Sequence, residues 1–212
     1  MVAALIAGLA RLVTGAVAVW QVAPRGERVR VYFANHSSHA DFATIWAALP
    51  ADLRARTRPV AAADYWNASA SRRYLAARVF RAVLIDRAGG GPAATAQMVA
   101  ALRGGDSLII FPEGTRGDGA ALAPFKSGLY HLAIAVPEAE LIPVALVNLN
   151  RVLPKGAAIP VPVIARLTFG QPIAIEPGES KTSLLERARA AVMALDEGVG
   201  PDRGVGPDRA LA

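Results

Sequence analysis

The chain has 212 residues, of which 53% are hydrophobic and 19% charged, with no cysteine and a formal net charge of +6. This content of apolar residues is sufficient for one packed domain and excludes a disordered or collagen-like chain, while the lack of cysteine excludes disulfides, a thiol nucleophile and a thiolate metal site. The positive charge favours anionic partners, among them nucleic acid, anionic lipid, phosphorylated metabolites and an acidic carrier protein, without choosing between them.

The first segment, residues 2–20, is apolar and carries a single charge, Arg11. Plotted as a helix it is weakly amphipathic, with its large side chains on one face and mostly Ala and Gly on the other. A spanning helix would place Arg11 at the membrane centre, whereas an interfacial helix would place it at the headgroups and Trp20 at the edge. We therefore expect residues 1–23 to form a helix that docks on one leaflet. Packing against the domain's own core is the alternative, and no basic region precedes the apolar stretch to mark a signal peptide.

Beyond this segment, short β-rich runs alternate with helical stretches. The pattern predicts strands at 29–33, 59–62, 83–85, 107–111, 141–147 and 164–169. It predicts helices at 41–49, 69–80, 92–102, 125–135 and 183–195. The alternation is typical of an α/β fold with a central, largely parallel or mixed sheet flanked by helices and with the chemistry on loops at strand ends. We assign residues 24–196 to this domain and expect the Gly/Pro-rich residues 197–212 to form a flexible tail.

The first block with chemical potential begins with Asn35 and His36, at the predicted turn between a strand and a helix. An imidazole is suited to remove a hydroxyl proton near neutral pH, and a carboxylate can hold it in the right tautomer. His36 and Asp41 supply that pair if the turn folds the carboxylate back onto the ring. Two other interpretations stay open at this point. Asp41 or Ser38 could cap the helix, or His36, His39 and Asp41 could bind a metal ion.

Two further blocks interrupt apolar strands. Arg87 follows the predicted strand 83–85, and its planar guanidinium is suited to a phosphate or carboxylate. The alternative for this block is a structural ion pair between Asp86 and another arginine. Pro143 interrupts the predicted strand 141–147, which indicates an edge or a bulge.

The block 111–116 follows another apolar strand and breaks into a charged turn. Glu113 can accept a hydrogen bond from a polyol hydroxyl, Gly114 permits a sharp backbone path, and Arg116 can bind phosphate. A surface hairpin is the alternative, since residues 117–119 contain two more glycines.

Together these blocks resemble the glycerolipid acyltransferase family, which includes the lysophosphatidic acid acyltransferases. Four family motifs are matched in order across residues 32–146, and they fall on Asn35, His36 and Asp41, on Ile85, Asp86 and Arg87, on 111–116, and on Ile142, Pro143 and Val144. Residues 125–128 are also similar to the family. Two positions depart from its pattern and leave the acceptor open: Arg81 stands where glycine is common, and His39-Ala40 replaces a bulky pair.

The resemblance implies an enzyme of the 1-acylglycerol-3-phosphate O-acyltransferase type. It would move a fatty acyl chain from acyl-CoA or acyl carrier protein to the hydroxyl of a lysophospholipid or glycerol phosphate. His36, oriented by Asp41, would be the general base, and no covalent acyl-enzyme is needed. The implied substrate-binding residues are Arg87, Glu113, Gly114, Thr115, Arg116 and Pro143. We expect the acyl chain to lie in an apolar groove lined partly by residues 142–144.

From the N-terminal helix and the net charge of +6 we expect an anionic membrane surface as a further partner, and we expect no nucleic acid. We expect no metal and no tightly held cofactor, and a peripheral or monotopic location at the cytoplasmic face of the cell membrane. Two alternatives are kept. One is a metal-dependent hydrolase that uses His36, His39 and Asp41, and the other is a lipid-binding module without catalysis.

Overall fold

The computed structural model describes residues 2–24, 26–38, 40–86, 91–117, 121–149 and 165–197. The strands are β1 Val17–Trp20, β2 Arg30–Ala34, β3 Thr57–Ala62, β4 Val83–Ile85, β5 Ser107–Ile110, β6 Glu140–Val147 and β7 Arg166–Phe169. The helices are α1 Val2–Thr14, α2 Asp41–Ala48, α3 Ala51–Ala55, α4 Ala63–Asn67, α5 Ala70–Tyr74, α6 Gly91–Arg103, α7 Gly128–Ala135 and α8 Lys181–Glu197, and a π-helical turn at Leu75–Val79 continues α5.

The seven strands form one sheet in the order β1-β7-β6-β2-β5-β3-β4. Neighbouring strands are parallel except for β6 and β7, which are antiparallel. Every residue of β2 and β5 is buried, which explains why these strands read as continuous apolar runs in the sequence. The predicted mixed sheet is confirmed. Because β6, β2, β5, β3 and β4 run in one direction, their carboxyl ends meet at one edge, which we call the carboxyl edge.

Helices cover both faces of the sheet. On β2, Val31 and Phe33 face a core that includes buried residues of α6, α7 and α8. The alternate residues Tyr32 and Ala34 face a second core built with α1, α2 and the π-helical turn. The alternation of side chains along a strand thus divides one apolar run between two helical layers.

The predicted strands and helices of residues 24–196 are all present within the described ranges, with changes at their ends. The predicted helix 69–80 is divided between α5 and the π-helical turn. The sequence pattern missed the short helices α3 and α4 and the strand β1. Residues 198–212, most of the predicted tail, lie outside the described residues.

The N-terminal segment differs from the sequence prediction in its second half. α1 ends at Thr14, and residues 17–20 form β1, which pairs parallel with β7. Trp20 lies in this strand, with its ring stacked on Phe169 at a centroid distance of 3.7 Å. The prediction that the helix covers residues 1–23 is therefore wrong in its second half, because residues 17–20 supply an edge strand of the sheet.

α1 packs on α2 through its small side chains, among them the buried Ala7. Arg11 donates from Nε to the carbonyl oxygen of Ala47 at 2.7 Å and from Nη2 to that of Leu49 at 3.5 Å. This cation stabilises the carboxyl end of α2, a contact that the sequence did not predict, and its place at the lipid headgroups stays a prediction. The exposed apolar side chains of α1 and β1 are Val2, Leu5, Leu9, Leu12, Val17 and Val19. Among the helices described, none combines the length and the apolar character needed to cross a bilayer.

Candidate active site

The turn after β2 brings His36 and Asp41 into contact. His36 Nδ1 lies 2.8 Å from Asp41 Oδ2, and the aspartate side chain is 0% exposed whereas the imidazole is 21% exposed. The same carboxylate oxygen accepts the backbone N–H groups of Ser37 at 2.7 Å and Ser38 at 2.8 Å. α2 begins after Ala40, which offers no capping side chain, so the carboxylate closes the turn and orients the ring instead of capping the helix.

The contact with Asp41 favours one tautomer of the neutral His36 ring. A carboxylate accepts from Nδ1–H, so Nε2 carries the lone pair that a base requires. The ring also stacks on Phe111, with the centroids 4.1 Å apart and the planes 18° from parallel. These two contacts hold the imidazole in one orientation at the wall of the cavity described below.

Glu113 lies beneath His36 and supports its backbone. Its Oε1 accepts the His36 N–H at 2.7 Å, its Oε2 accepts the Ala123 N–H at 3.0 Å, and the residue is only 5% exposed. Each oxygen therefore accepts one backbone donor, and Glu113 is not among the residues that line the cavity described below. This geometry indicates a positioning role for Glu113 under His36, and its contact with an acceptor hydroxyl stays a prediction.

Asn35 joins the same turn to the neighbouring strand. Its Nδ2 donates to the Leu146 carbonyl oxygen at 2.9 Å, and its Oδ1 accepts the Leu146 N–H at 2.8 Å. The side-chain amide thus continues the β2–β6 pairing one residue beyond β2. Asn35 belongs to a family motif in the sequence. This contact could not be predicted from the sequence, because its partner is 111 residues away.

A cavity of about 1420 Å³ opens beside His36 along the carboxyl edge. Its walls come from the ends of β3, β4 and β5 and from α6 and α7, and are largely apolar. Apolar wall residues include Val60, Ile85, Met98, Val99, Ile110 and Leu129. The volume exceeds the roughly 300–1,000 Å³ of most small-molecule sites, and this size suits a long apolar ligand.

This cavity does not lie along residues 142–144, where the sequence predicted a groove for the acyl chain. Pro143 is buried in β6, and its carbonyl oxygen accepts the N–H of Gly170 at 2.9 Å. A side chain at Gly170 would meet Pro143 and Leu195, so the proline packs between the sheet and α8. The expectation that Pro143 contacts the acyl chain is corrected accordingly.

The remaining predicted residues fall into two groups. Gly114 and Arg116 line the cavity together with His36, while Thr115 is exposed next to them. Arg87 and His39 lie outside the described residues. In the described part of the chain, no group of three or more His, Asp and Glu side chains is arranged to hold a metal ion.

Seven polar residues that the sequence pattern did not mark also line the cavity: Asp64, Tyr65, Arg72, Thr95, Lys126, Ser127 and His131. Lys126 and Ser127 belong to residues 125–128. The similarity of this segment to the family is the feature of the sequence that could have identified them. Arg72 comes from α5, and its guanidinium lies over the Tyr65 ring at 4.2 Å from the centroid. Nothing in the local sequence of α5 marks it as part of a site.

Arg81, the departure from the family pattern, lies away from this cavity. It precedes β4, at the amino end of the parallel strands, and its Nη2 is 3.4 Å from an Asp106 carboxylate oxygen. Its φ of 50° is in the left-handed region that favours glycine. A glycine would adopt this backbone conformation without strain, and Arg81 is not among the residues that line the cavity.

A histidine oriented by a buried carboxylate, at the wall of a large apolar cavity, is chemically able to activate a hydroxyl beside a long apolar ligand. The sequence model of the family described as Acyltransferase matches residues 20–147. Since this match covers more than half of the chain, the chain belongs to the acyltransferase family, as the resemblance predicted.

Individual relatives agree with this assignment. The chain is 33% identical over 144 residues to a 1-acyl-sn-glycerol-3-phosphate acyltransferase of Limnanthes alba, covering 64% of this chain and 48% of that protein. It is 49% identical over 51 residues to the enzyme of the same name from Salmonella typhimurium, covering 21% and 20%. The chain thus spans about half or less of the length of these curated relatives. Its fold is similar to the crystal structure of the 1-acyl-sn-glycerophosphate acyltransferase PlsC from Thermotoga maritima, with a TM-score of 0.73, 19% identity, and coverage of 94% of this chain and 79% of that one.

Proposed function

We propose that this chain transfers a fatty acyl group from a thioester donor, acyl-CoA or acyl carrier protein, to the hydroxyl of a phosphorylated glycerolipid. The acceptor named for its relatives, 1-acyl-sn-glycerol-3-phosphate, is the first candidate. The observation that carries the proposal is the 2.8 Å contact between His36 Nδ1 and Asp41 Oδ2 at the wall of the apolar cavity. A module that only binds lipid has no need of an oriented base.

In the proposed reaction, His36 Nε2 takes the proton of the acceptor hydroxyl while that oxygen attacks the thioester carbonyl. The buried carboxylate of Asp41 stabilises the imidazolium that results. The carbon–sulfur bond then breaks, and the imidazolium returns the proton to the departing thiolate. The products are an ester and a free thiol. The steps use the chain's own residues, with no covalent acyl-enzyme, no metal and no tightly held cofactor.

The lining of the cavity supports a proposal for where the acyl chain and the acceptor phosphate bind. The acyl chain lies along the apolar walls contributed by α6 and α7, and its thioester end faces His36. Arg116 borders the same space and binds the acceptor phosphate through its guanidinium fork. Arg87 is proposed for the same phosphate on the basis of its family motif alone.

Contact with an anionic membrane surface is part of the proposal. A helix that packs on its own domain normally turns its large apolar side chains inward, but α1 does the opposite. Leu5, Leu9 and Leu12 are 73%, 56% and 82% exposed. We propose that this stripe enters one leaflet at the cytoplasmic face of the membrane, where the lipid acceptor resides, and that the net charge of +6 adds electrostatic attraction.

The catalytic proposal is tested by assaying transfer from acyl-CoA and from acyl carrier protein to 1-acyl-sn-glycerol-3-phosphate. We expect His36→Ala to lose about 10²- to 10⁴-fold in turnover while keeping its unfolding transition, because a positioned base contributes that much. Near-normal turnover in a folded His36→Ala variant would contradict the mechanism. Release of free fatty acid without ester formation, abolished by a chelator, would favour the metal-dependent hydrolase instead.

The membrane proposal is tested by vesicle flotation with neutral or anionic lipid at low and high salt. Because β1 belongs to the sheet, deleting the whole segment would damage the fold, so Leu9→Ser combined with Leu12→Ser is the better probe. We expect the double variant to lose flotation and the parent chain to be partly released by salt. Unchanged flotation of a folded double variant would show that the membrane contact lies elsewhere.

A further inference from the structure

Lys126 lies in the wall of the cavity and has no part in the function proposed above. Its backbone N–H donates to the Pro112 carbonyl oxygen at 2.8 Å, which ties the residue to the turn after β5. The same turn carries Arg116. Two cations from separate parts of the chain are therefore held at one end of the cavity that also contains His36.

The Lys126 side chain reaches this position by crossing Gly114. A Cβ atom built on Gly114 would lie 2.5 Å from Lys126 Nζ, 2.8 Å from Cε and 2.9 Å from Cδ, distances that real contacts do not reach. Gly114 also has a φ of 74°, which disfavours any other residue. The glycine thus serves the backbone turn and leaves the space through which the lysine extends.

Neither of these two cations forms an ion pair within the described part of the chain, and the one acidic residue among the described lining residues of the cavity is Asp64. No carboxylate there lies within 4.0 Å of Lys126 or Arg116, and both side chains are exposed. A phosphate monoester offers three oxygens and nearly two negative charges at neutral pH. An arginine fork can take two of those oxygens, and a lysine can approach the third as a point charge.

We infer that Lys126 is a second phosphate-binding residue, which holds the acceptor together with Arg116 so that the free hydroxyl meets His36. The ligand class is a phosphate monoester on a lipid glycerol. This inference rests on the proposed function and adds a specificity determinant to it. Lys126 binds substrate and takes no part in proton transfer.

The kinetic test compares a phosphate-bearing acceptor, 1-acyl-sn-glycerol-3-phosphate, with monoacylglycerol, which lacks the phosphate. We expect Lys126→Ala to raise the KM for the phosphate-bearing acceptor about 10- to 100-fold, the effect of losing one charged hydrogen bond, and to leave monoacylglycerol unchanged. Lys126→Arg should recover part of the loss. Lys181→Ala, an exposed lysine at the start of α8, is the matched control and should leave both acceptors unchanged.

The role of Gly114 gives a second, independent readout. Gly114→Ala should reproduce the loss of phosphate preference, because the new methyl group displaces Lys126. In a Lys126→Ala background the same change should cost less phosphate preference than in the parent chain, because only the strain of the Gly114 backbone remains. Additive effects on phosphate preference would show that Gly114 acts without the lysine and would overturn this part of the inference.

Binding measurements separate this inference from the proposed function. In the His36→Ala background, the affinity for 1-acyl-sn-glycerol-3-phosphate should fall when Lys126→Ala is added, whether or not the parent chain turns that acceptor over. The inference is overturned by any of three results. Lys126→Ala raises the KM of the thioester donor instead, or lowers kcat/KM equally with both acceptors, or changes nothing. Failure of the parent chain to acylate any acceptor would overturn only the proposed function.

Discussion

The two edges of the parallel sheet differ in whether their cationic side chains form ion pairs. At the amino edge, cations are paired with carboxylates: Arg30 lies 2.8 Å from Glu140, and Arg58 lies 3.0 Å from Asp106. At the carboxyl edge, Arg116 and Lys126 face a cavity with no described carboxylate within 4.0 Å. An ion pair at the amino edge ties neighbouring strands together, whereas Arg116 and Lys126 form no described ion pair and border the cavity next to His36. This contrast is the basis for the proposal that they bind an anionic substrate.

The largest expected effect is at the carboxyl edge, in Asp41→Asn. The amide oxygen can still accept the N–H groups of Ser37 and Ser38, so the turn should survive, but the charge that stabilises the imidazolium is lost. We expect turnover to fall about 10²- to 10⁴-fold with little change in acceptor KM. Steady-state kinetics check this, with the unfolding transition as a control for the fold. A raised KM at normal turnover would place Asp41 in substrate binding.

Glu113→Gln should have the next largest effect, because one backbone donor would then face an amide NH₂ group. Leaving a buried donor unsatisfied costs about 1–3 kcal/mol of stability. We expect lower turnover at nearly unchanged acceptor KM, since the base is displaced and the acceptor contacts remain. Chemical denaturation and kinetics check this against Glu186→Gln, an exposed glutamate on α8. A rise in acceptor KM alone would support the direct contact predicted from the sequence.

The antiparallel strand β7 brings the chain back toward the amino edge. There we expect a smaller effect, on the pH dependence of unfolding stability. The hydrogen bond from Arg187, at 2.7 Å, lowers the pKa of Glu179 from 4.5 to about 2. Because the folded-state pKa is lowered, the pair stabilises the protein fully above the ordinary carboxyl range, and this stabilisation is lost as the pH falls toward 2. Glu179→Gln should flatten the decline in unfolding stability over that window, as measured by denaturation. Parallel stability curves for parent and variant would contradict the assignment, and Glu138→Gln is the exposed control.

The smallest expected effect is Arg81→Gly. It relieves a left-handed backbone, which costs a non-glycine residue about 1–2 kcal/mol, and it removes a 3.4 Å ion pair worth about 0–1 kcal/mol. We expect stability to change by less than about 1 kcal/mol and the kinetics to stay unchanged. Asn148→Gly, at a φ of 65°, tests relief of backbone strain without that ion pair. A change in acceptor preference on Arg81→Gly would show that this edge influences the site.

Much of the fold could be predicted from local patterns. Strands such as β5 are apolar on both faces because the sheet is covered on both sides, and charged or turn residues mark their ends. β1 could not be predicted in this way. Residues 17–20 continue the apolar composition of α1, and only their pairing with β7, contributed by residues 166–169, makes them a strand.

The His36–Asp41 pair was predictable because the two residues are five positions apart within a single turn, so a few backbone angles decide whether they meet. The sequence by itself thus determined the contact between His36 and Asp41 and the family. Only the tertiary structure decided that Glu113 supports the His36 backbone from 77 residues away, that Arg11 stabilises α2, and that Lys126 crosses Gly114 into the cavity. Such contacts depend on the order of the strands and the packing of the layers, which no local pattern specifies.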